Sequence, residues 1–518
     1  MKHRSIGLLL LVLAVLLPGV AVSAQQQDAF AAQVAALAGG FAQQAEAVER
    51  LGASGDPRAL PILRALSEGR LRKLPDGIVL EPGAEAPSEA EAIRINNRVR
   101  QALRGALGRL SIVSPDPAER LAAAEAVFRS RSAENVPLLE TALAREGVPR
   151  IRAQMELALA ASRLVATDES VKRAAIARLG GSGSTDARAL LLEARAANPS
   201  LLLEIEAATA AIDRQLAIRR TGETLFQGLS LGSVLLLAAL GLAVTFGVMG
   251  VINMAHGEFV MLGAYTTFVV QEACRGVPWL LPWSLPLSIP AAFLVAALAG
   301  AALERGLIRH LYGRPLETLL MTFGVGMILQ QAVRIAFGAQ NREVLSPAWM
   351  QGTITLPWIG VPVTQNRLWI IVFGLLVFAL VVAAIRFTRF GLEMRAVVQN
   401  RRIAATMGIR TGRVDALTFA FGSGIAGMAG VALSQIDNVS PNLGTGYIID
   451  SFMVVVFGGV GSLAGTLVGA FTLGVVNKVL EPWAGAVLAK VAVLVALMLF
   501  IQRRPRGLFA LKGRAAEA

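Results

Sequence analysis

Apolar residues follow two different patterns along this chain, and the second half consists of long apolar runs separated by short polar connections. Seven runs have about the length of a membrane-crossing helix: 225–252, 285–303, 319–338, 368–385, 416–436, 465–480 and 484–501. The shorter runs 259–270 and 447–460 are counted as crossings too, with re-entrant segments or half-helices as the alternative. The pattern predicts an all-α protein in which residues 221–518 form a polytopic membrane domain of about 8–9 segments.

Residues 25–220 show the second pattern, in which apolar residues recur at helical spacing among Ala, Glu and Arg. Three segments, beginning at Asp56, Glu134 and Asp186, each open with a polar capping residue and continue as an amphipathic helix. They resemble degenerate HEAT-type helical pairs, although their unequal spacing does not support a strict repeat. We predict a helical scaffold or docking domain without a catalytic site.

The first 24 residues are typical of a secretory signal peptide. A basic start at Lys2 and Arg4 precedes a twelve-residue apolar core over 6–17, and the small residues at 22–24 fit a cleavage site. The alternative is an anchor that remains attached. In both cases residues 25–220 are predicted to lie outside the cytoplasm.

The distribution of charge supports this topology. Charged residues make up roughly a quarter of residues 1–220, as in soluble domains, but only about a tenth of residues 221–518. If each run crosses once from an external start, the cytoplasm receives the Arg-dense connections 305–314, 386–413 and 503–514. The net charge of +13 is therefore explained by positive-inside topology in a lipid bilayer, and no nucleic-acid partner is expected.

Residue types that the sequence lacks exclude several kinds of site. Cys274 is the only cysteine, so neither an intrachain disulfide nor a CxxC site can form. The three histidines are too far apart for a local zinc motif, and no G-x-x-x-x-G-K-[ST] segment marks a P-loop. Residues 422–427 fit G-x-G-x-x-G, but inside a membrane run such glycines favour close helix packing over a cofactor site. Neither a cofactor nor a metal is expected in this chain.

Polar residues that interrupt the apolar runs are the candidates for a solute path. Asn253, His256 and Glu258 lie where two runs meet, near the predicted cytoplasmic face, and can hydrogen-bond a small polar solute. A turn whose polar atoms satisfy helix ends is the alternative. Asn438 and Asp450 flank the predicted external end of two runs and are assigned to the entrance, although a solvated loop is the favoured interpretation there.

The longest cytoplasmic connection contains a short amphipathic segment. Residues 393–407 have helical composition, and Gly408 is suited to end the helix. Because the segment is too short and too charged to cross a membrane, we predict that it docks into a groove on a cytoplasmic partner, with a surface-lying helix as the alternative. The residues assigned to this contact are Glu393, Arg395, Gln399, Asn400 and Gly408.

Several long motifs resemble the permeases of branched-chain-amino-acid-type ABC importers. They are GLSLGSVLLLAALGLAVTFGVMGVINMAHGEFVMLGAY at 228–265, VFGGVGSLAGTLVGA at 456–470 and RRPRGLF at 503–509. Residues 391–409 are similar to the coupling loop of that family. Within the family, residues 394–409 and 447–461, together with the exported helical domain, look like the urea permease subunit.

The resemblance implies a transport subunit rather than an enzyme, in a bacterial inner membrane with the N-terminal domain in the periplasm. It implies as partners a second permease subunit, two cytoplasmic ABC ATPase subunits that bind the ATP, and a periplasmic solute-binding protein. Urea import is the leading prediction. The alternatives are import of branched-chain amino acids or short amides, and a passive channel with an external receptor domain. An amino-acid carrier must bind the two charges of a zwitterion. We expect buried charge in only a few spans, and this expectation favours urea.

Overall fold

A computed structural model describes residues 30–54, 56–74, 79, 90–356 and 361–509 of the chain. The predicted signal peptide, residues 1–24, lies outside these described residues. The described chain is mostly helical, as predicted, and it falls into two compact units that are divided between Ala217 and Ile218.

The first unit is a succession of amphipathic helices with one short antiparallel strand pair. The helices are α1 (Phe41–Ser54), α2 (Ala59–Ser67), α3 (Asn97–Leu110), α4 (Pro117–Ser130), α5 (Val136–Arg145), α6 (Pro149–Arg163), α7 (Glu169–Gly180) and α8 (Thr185–Ala197), and the strands are β1 (Arg72–Lys73) and β2 (Glu91–Ala92). Leu51, Leu63 and Leu103 belong to a core formed by α1–α3. Leu139 and Met155 belong to a second core, formed mainly by α4–α8.

Helices begin near the three openings predicted from the sequence, but the capping position differs from the predicted residue at each. Arg58 precedes α2 and Asn135 precedes α5, both without a capping side-chain hydrogen bond. Ser184, not Asp186, caps α8, because its hydroxyl accepts hydrogen bonds from the backbone N–H groups of Asp186 and Ala187. Ser184 has the extended backbone that a capping residue adopts, whereas Asp186 already lies in the first helical turn.

The second unit contains the apolar helices. The chain continues through α9 (Leu202–Met249), within which the division between the units falls, and then α10 (His256–Arg275), α11 (Ser284–Gly306), α12 (Pro315–Phe337), β3 (Thr353–Leu356), β4 (Val361–Thr364), α13 (Gln365–Phe387), α14 (Arg389–Gln399), α15 (Arg401–Thr406), α16 (Thr411–Leu433), α17 (Leu443–Gly458) and α18 (Leu463–Arg503). The strands β3 and β4 pair antiparallel, with Thr353 opposite Thr364.

Six of the described helices are long and apolar enough to cross a membrane: α9, α11, α12, α13, α16 and α18. The two shorter predicted runs correspond to α10 and α17. The last two predicted runs correspond to two helices that meet at a kink at Gly485, where φ is 75° and the backbone is not helical; the two are labelled together as α18. The protein is therefore a multi-pass membrane protein, as the pattern predicts.

Close contacts at glycine hold these helices together. Gly241 of α9 lies so near Gly422 of α16 that an added Cβ would overlap the carbonyl oxygen of Gly422. On the other side of α16, a Cβ on Gly427 would lie 2.5 Å from the carbonyl oxygen of Ala292 in α11. The interpretation of residues 422–427 as a helix-packing motif is confirmed.

The end of α17 and the C-terminal segment lie on the same side of the unit. The backbone N–H of Leu508 donates to the carbonyl of Phe457 over 2.9 Å, and that of Phe509 donates to Gly458 over 3.1 Å. The end of α9 also reaches this side, since Gly247 lies against Gly461. This is the side predicted to be cytoplasmic.

Candidate functional site

Helix α10 begins halfway along its neighbours rather than at either end of them. Nε2 of His256 lies 2.8 Å from the carbonyl oxygen of Ala238, eleven residues before the end of α9. A Cβ on Gly326, the middle residue of α12, would lie 3.5 Å from Cγ of Glu258. Residues 250–255 thus lead the chain from the end of α9 back into the bundle. The candidate polar residues therefore lie at mid-depth, deeper than the cytoplasmic face near which we predicted them.

Helix α17 begins at the same level and runs the other way. Gly257 and Gly444 are so close that a Cβ on either would overlap the carbonyl oxygen of the other. From this contact α10 runs to the loop predicted to be external, where Gln271 donates to the carbonyl of Leu345 over 2.7 Å, and α17 runs to the C-terminal segment. The N-termini of two half-helices therefore meet inside the bundle. Such N-termini carry partial positive charge, and broken helices form substrate sites in many transporters.

The predicted path residues at this junction are buried and only partly satisfied. Asn253 and His256 are 0% exposed and Glu258 is 8% exposed. Oδ1 of Asn253 accepts a hydrogen bond from the N–H of Ala255 over 3.0 Å, as the helix-end alternative requires. Nδ2 of Asn253, Nδ1 of His256 and Oε2 of Glu258, however, have no hydrogen-bond partner among the described residues. Buried groups in this state are available to a polar solute.

A further polar cluster, which the sequence analysis missed, lies next to this junction on α12. Nε2 of Gln330 donates to Oδ1 of Asn442 over 2.9 Å, and Nη2 of Arg334 donates to the same oxygen over 3.1 Å. Gln330 also lies 3.5 Å from Oγ1 of Thr445 in the first turn of α17. No carboxylate among the described residues pairs with Arg334. The sequence feature that could have indicated this cluster is Arg334 itself, because it lies within the predicted apolar run 319–338 and charged residues in such runs are rare and often functional.

The two residues assigned to an external entrance lie in different surroundings. Asn438 is exposed in the loop after α16, as the solvated-loop alternative states. Asp450 does not lie at an external helix end, because it is a 4% exposed residue within α17. Its carboxylate accepts from Nζ of Lys490 in α18 over 2.9 Å, which makes it one partner of an ion pair between two helices.

Buried carboxylates are more frequent in the membrane helices than the sequence analysis expected. They are Glu258 in α10, Glu304 in α11, Asp415 in α16 and Asp450 in α17, each at most 8% exposed. The expectation that few spans contain buried charge is wrong, because the ionisable residues near the ends of the apolar runs fold inward. The argument for a neutral solute that rested on this expectation is lost with it.

The predicted cytoplasmic helix consists of two helices rather than one. Asn400 has an extended backbone between α14 and α15, and its Oδ1 accepts from the N–H of Ile403 over 3.0 Å, so Asn400 caps α15. Gly408 follows α15 with a φ of 87°, as expected of a glycine that ends a helix. The side chains assigned to the partner contact, Glu393, Arg395, Gln399 and Asn400, are all exposed.

An ion pair fixes this segment to the membrane helices. The guanidinium of Arg401 in α15 pairs with the fully buried carboxylate of Asp415 in α16, with one N–H···O distance of 3.1 Å. The same guanidinium lies 4.9 Å from the ring centre of Tyr312, whose hydroxyl donates to Glu304 over 2.9 Å. These contacts link α15 to the start of α16 and to the end of α11.

Comparisons with known proteins assign this unit to a known class. The family model described as "Branched-chain amino acid transport system / permease component" matches residues 224–502. The high-affinity branched-chain amino acid transport system permease protein LivH of Salmonella typhimurium is 31% identical over 297 residues, which cover 55% of this chain and 94% of that protein. The corresponding permease protein BraD of Pseudomonas aeruginosa is 30% identical over 296 residues, with the same coverage. The ribose import permease protein RbsC of Haemophilus influenzae is 25% identical over 173 residues, 32% of this chain and 50% of that protein. The search of solved structures found no match.

Proposed function

The chain belongs to the family of permease components of branched-chain amino acid transport systems, and we propose that it carries a branched-chain amino acid inward through a bacterial inner membrane. It is a transport subunit of an ABC importer and not an enzyme. Family membership implies ATPase and solute-binding partners in general. We propose in particular a second permease subunit, two cytoplasmic ATPase subunits that bind the ATP, and a periplasmic binding protein.

The observation that carries ATP-driven transport is the exposed segment α14–α15 and its attachment to the membrane helices. Its outer face includes Ile403 and Met407, which are 60% and 78% exposed and suited to an apolar groove on a partner. Its inner side is fixed to α16 through Arg401 and Asp415. A passive channel would have no need of a partner-binding helix that is attached to its transmembrane bundle.

Two observations favour an amino acid over urea as the solute. LivH and BraD, each matched over 94% of its own length, are named for branched-chain amino acids. The membrane helices also carry the buried carboxylate of Glu258, whose Oε2 has no hydrogen-bond partner among the described residues, and Arg334, whose guanidinium donates to the amide oxygen of Asn442. These two groups suit a zwitterion better than a neutral diamide. Urea is the second candidate, because residues 394–409 and 447–461 look like the urea permease subunit.

Uptake measurements distinguish these functions. We expect cells that contain the complete transporter to accumulate labelled leucine and not labelled urea, and to lose this uptake when the ATPase subunits are inactivated. Accumulation of urea alone would assign the protein to the second candidate. Uptake that persists without ATP hydrolysis would assign it to the channel class.

Topology is tested by reporter fusions. We expect an enzymatic reporter fused after residue 210 to be active in the periplasm, and one fused after Arg402 to be active in the cytoplasm. Cytoplasmic activity of the first fusion would contradict a periplasmic N-terminal domain and reverse every later crossing.

Coupling is tested at Gly408, with Gly412 as the matched control. An added Cβ would meet no atom within 4 Å at either glycine, but only Gly408 has a positive φ. Gly408→Ala therefore strains the backbone by about 1–2 kcal/mol and changes the angle at which α15 ends, whereas Gly412→Ala does neither. We expect lower leucine uptake per ATP hydrolysed for Gly408→Ala only. Equal coupling ratios in both variants would contradict the assignment of this segment.

A further inference from the structure

We propose that the first turn of α17 and the Arg334 side chain bind the carboxylate of the transported amino acid, and that Glu258 binds its ammonium group. This inference rests on the proposed function, since it assigns a site to the substrate of that importer. It is carried by the junction of two half-helices, by the cationic cluster beside it and by a buried, unpaired carboxylate oxygen in it.

The carboxylate side of the site combines a helix N-terminus with a guanidinium. The first backbone N–H groups of a helix have no partner within the helix and carry partial positive charge. Asn442, the residue that precedes α17, does not cap them through its side chain, because its Oδ1 accepts from Gln330 and Arg334 instead. Arg334 gives one hydrogen bond to Asn442, which leaves further donors in the fork geometry that suits a carboxylate.

The ammonium side of the site is the carboxylate of Glu258. This side chain lies in the first turn of α10, is 8% exposed, and its Oε2 has no partner among the described residues. Its backbone N lies 3.0 Å from the position of a Cβ on Gly444, the second residue of α17. Glu258 therefore lies next to the first turn of α17. Asn442, the residue that precedes this turn, accepts the hydrogen bond from Arg334. An α-amino acid, whose two charges are attached to one carbon, needs one cationic and one anionic group in the same site, and the start of α17 connects Arg334 with Glu258.

The depth of the cluster supports a water-filled path rather than contact with lipid. Gln330 and Arg334 lie one and two helical turns beyond Gly326, the middle of α12, and Thr445 and Gly446 are exposed in the first turn of α17. Exposed polar groups and unpaired backbone N–H groups at membrane depth are tolerated only where protein or water covers them. The surface formed by Gln330, Arg334, Thr445 and Gly446 therefore lines the path.

Cysteine labelling tests this site independently of transport. Gly446 is exposed and an added Cβ would meet no atom within 4 Å, so Gly446→Cys fits without strain, and the one native cysteine, Cys274, is removed as Cys274→Ser. In the assembled transporter, we expect saturating leucine to slow modification of Gly446→Cys by a soluble thiol reagent about fivefold or more. Leucinamide, which lacks the carboxylate, and urea should slow it less than about twofold. Val269→Cys, on an exposed position of α10, serves as the control site that leucine leaves unchanged.

Arg334 is then replaced in the same background. We expect Arg334→Gln to abolish the protection by leucine, and Arg334→Lys to retain part of it through the charge. Arg275→Gln removes an exposed arginine that already pairs with Glu272 at the external end of α10, and it should leave the protection intact. The maximal rate of leucine uptake per inserted molecule should fall about tenfold for Arg334→Gln, as the loss of about 1.4 kcal/mol would cause.

The outcomes separate this inference from the proposed function. Equal protection by leucine and leucinamide, or protection that survives Arg334→Gln, would overturn the carboxylate site. Normal leucine uptake without any protection at Gly446→Cys would also overturn it, while the proposed function would stand. If the unmodified transporter takes up urea and no leucine, the proposed function itself is wrong.

Discussion

The unit that ends at Ala217 and the unit that begins at Ile218 use charged side chains in opposite ways. In the first unit ion pairs cover the surface, and in each of the following pairs both side chains are at least 38% exposed: Arg163–Glu140, Arg173–Glu204 and Arg195–Glu206. In the second unit two pairs, Arg401–Asp415 and Lys490–Asp450, each have a carboxylate side chain that is at most 6% exposed. An exposed ion pair contributes little to the free energy of unfolding. A buried charge, in contrast, is strongly destabilising when its one partner is removed. Asp415 and Asp450 of the membrane unit therefore each depend on a single cationic partner.

The largest effect is expected when the partner of a buried carboxylate is removed. Arg401→Met leaves the fully buried Asp415 without its cation, which costs about 3–5 kcal/mol, whereas Asp415→Asn leaves a half-exposed arginine that water can solvate. We expect Arg401→Met to destabilise the protein much more than Asp415→Asn. All six tryptophans lie after residue 218, so tryptophan fluorescence during unfolding in detergent reports on this unit. Equal small effects of both substitutions would remove the contrast between the units.

The first unit also contains a buried ion pair, Arg120–Glu146, which is an exception to its pattern of exposed pairs. Glu146 is buried there, and the hydrogen bond from the Arg120 side chain, helped by the backbone N–H of Val148, lowers its pKa below the ordinary value of 4.5 although burial acts in the other direction. A lowered pKa means that the folded state favours the charged form. The stabilisation of the folded state by ionised Glu146 is therefore complete above pH 4.5, and it is lost as the pH falls through the lowered pKa of Glu146.

Hydrogen exchange over residues 114–152 measures this effect in the full chain. We expect protection that declines from pH 5 to pH 3 in the unmodified protein, by at most about 2 kcal/mol, which is the limit that proton linkage sets for one carboxyl group over this range. Glu146→Gln should show weaker protection at pH 7 and a smaller decline; the decline that remains is expected from Glu119, whose pKa is also lowered, by hydrogen bonds from Ser114 and Arg64. A decline of the same size in Glu146→Gln would assign the acid sensitivity to other groups.

A buried but uncharged side chain of the membrane unit should have an intermediate effect. Asn253→Leu removes both the oxygen that accepts from Ala255 and the unpaired Nδ2, and Asn253→Asp removes only the latter donor. If Nδ2 binds the solute, both variants lower leucine uptake per inserted molecule about tenfold, which corresponds to roughly 1.4 kcal/mol. Normal uptake per molecule in Asn253→Asp, with reduced abundance of Asn253→Leu, would mean that Asn253 only caps the helix.

The sequence predicts the apolar helices of the membrane unit because hydropathy and length are local properties. It also predicts the role of the glycines at 422–427, whose spacing alone places them on one helix face. It does not predict depth: residues 253–258 have the composition of a surface turn, and only the contact with Ala238 shows that α10 begins inside the bundle. The partners of Arg334 and Asp450 were missed because Asn442 and Lys490 lie 108 and 40 residues away along the chain.

The smallest effect is expected at an exposed pair of the first unit. Arg195 donates to Glu206 over 2.7 Å, but the two side chains are 51% and 48% exposed, so water and salt already screen their attraction. We expect Arg195→Gln and Glu206→Gln each to change the stability of this unit by less than about 1 kcal/mol, and the double variant to show a coupling energy of about 0.2–1 kcal/mol that disappears at high salt. The measurement is hydrogen exchange over α8 and the start of α9 in the four proteins of the cycle. A coupling energy well above about 1 kcal/mol, or one that salt does not reduce, would show that burial does not decide how much an ion pair stabilises this protein, and the distinction between the two units would fail.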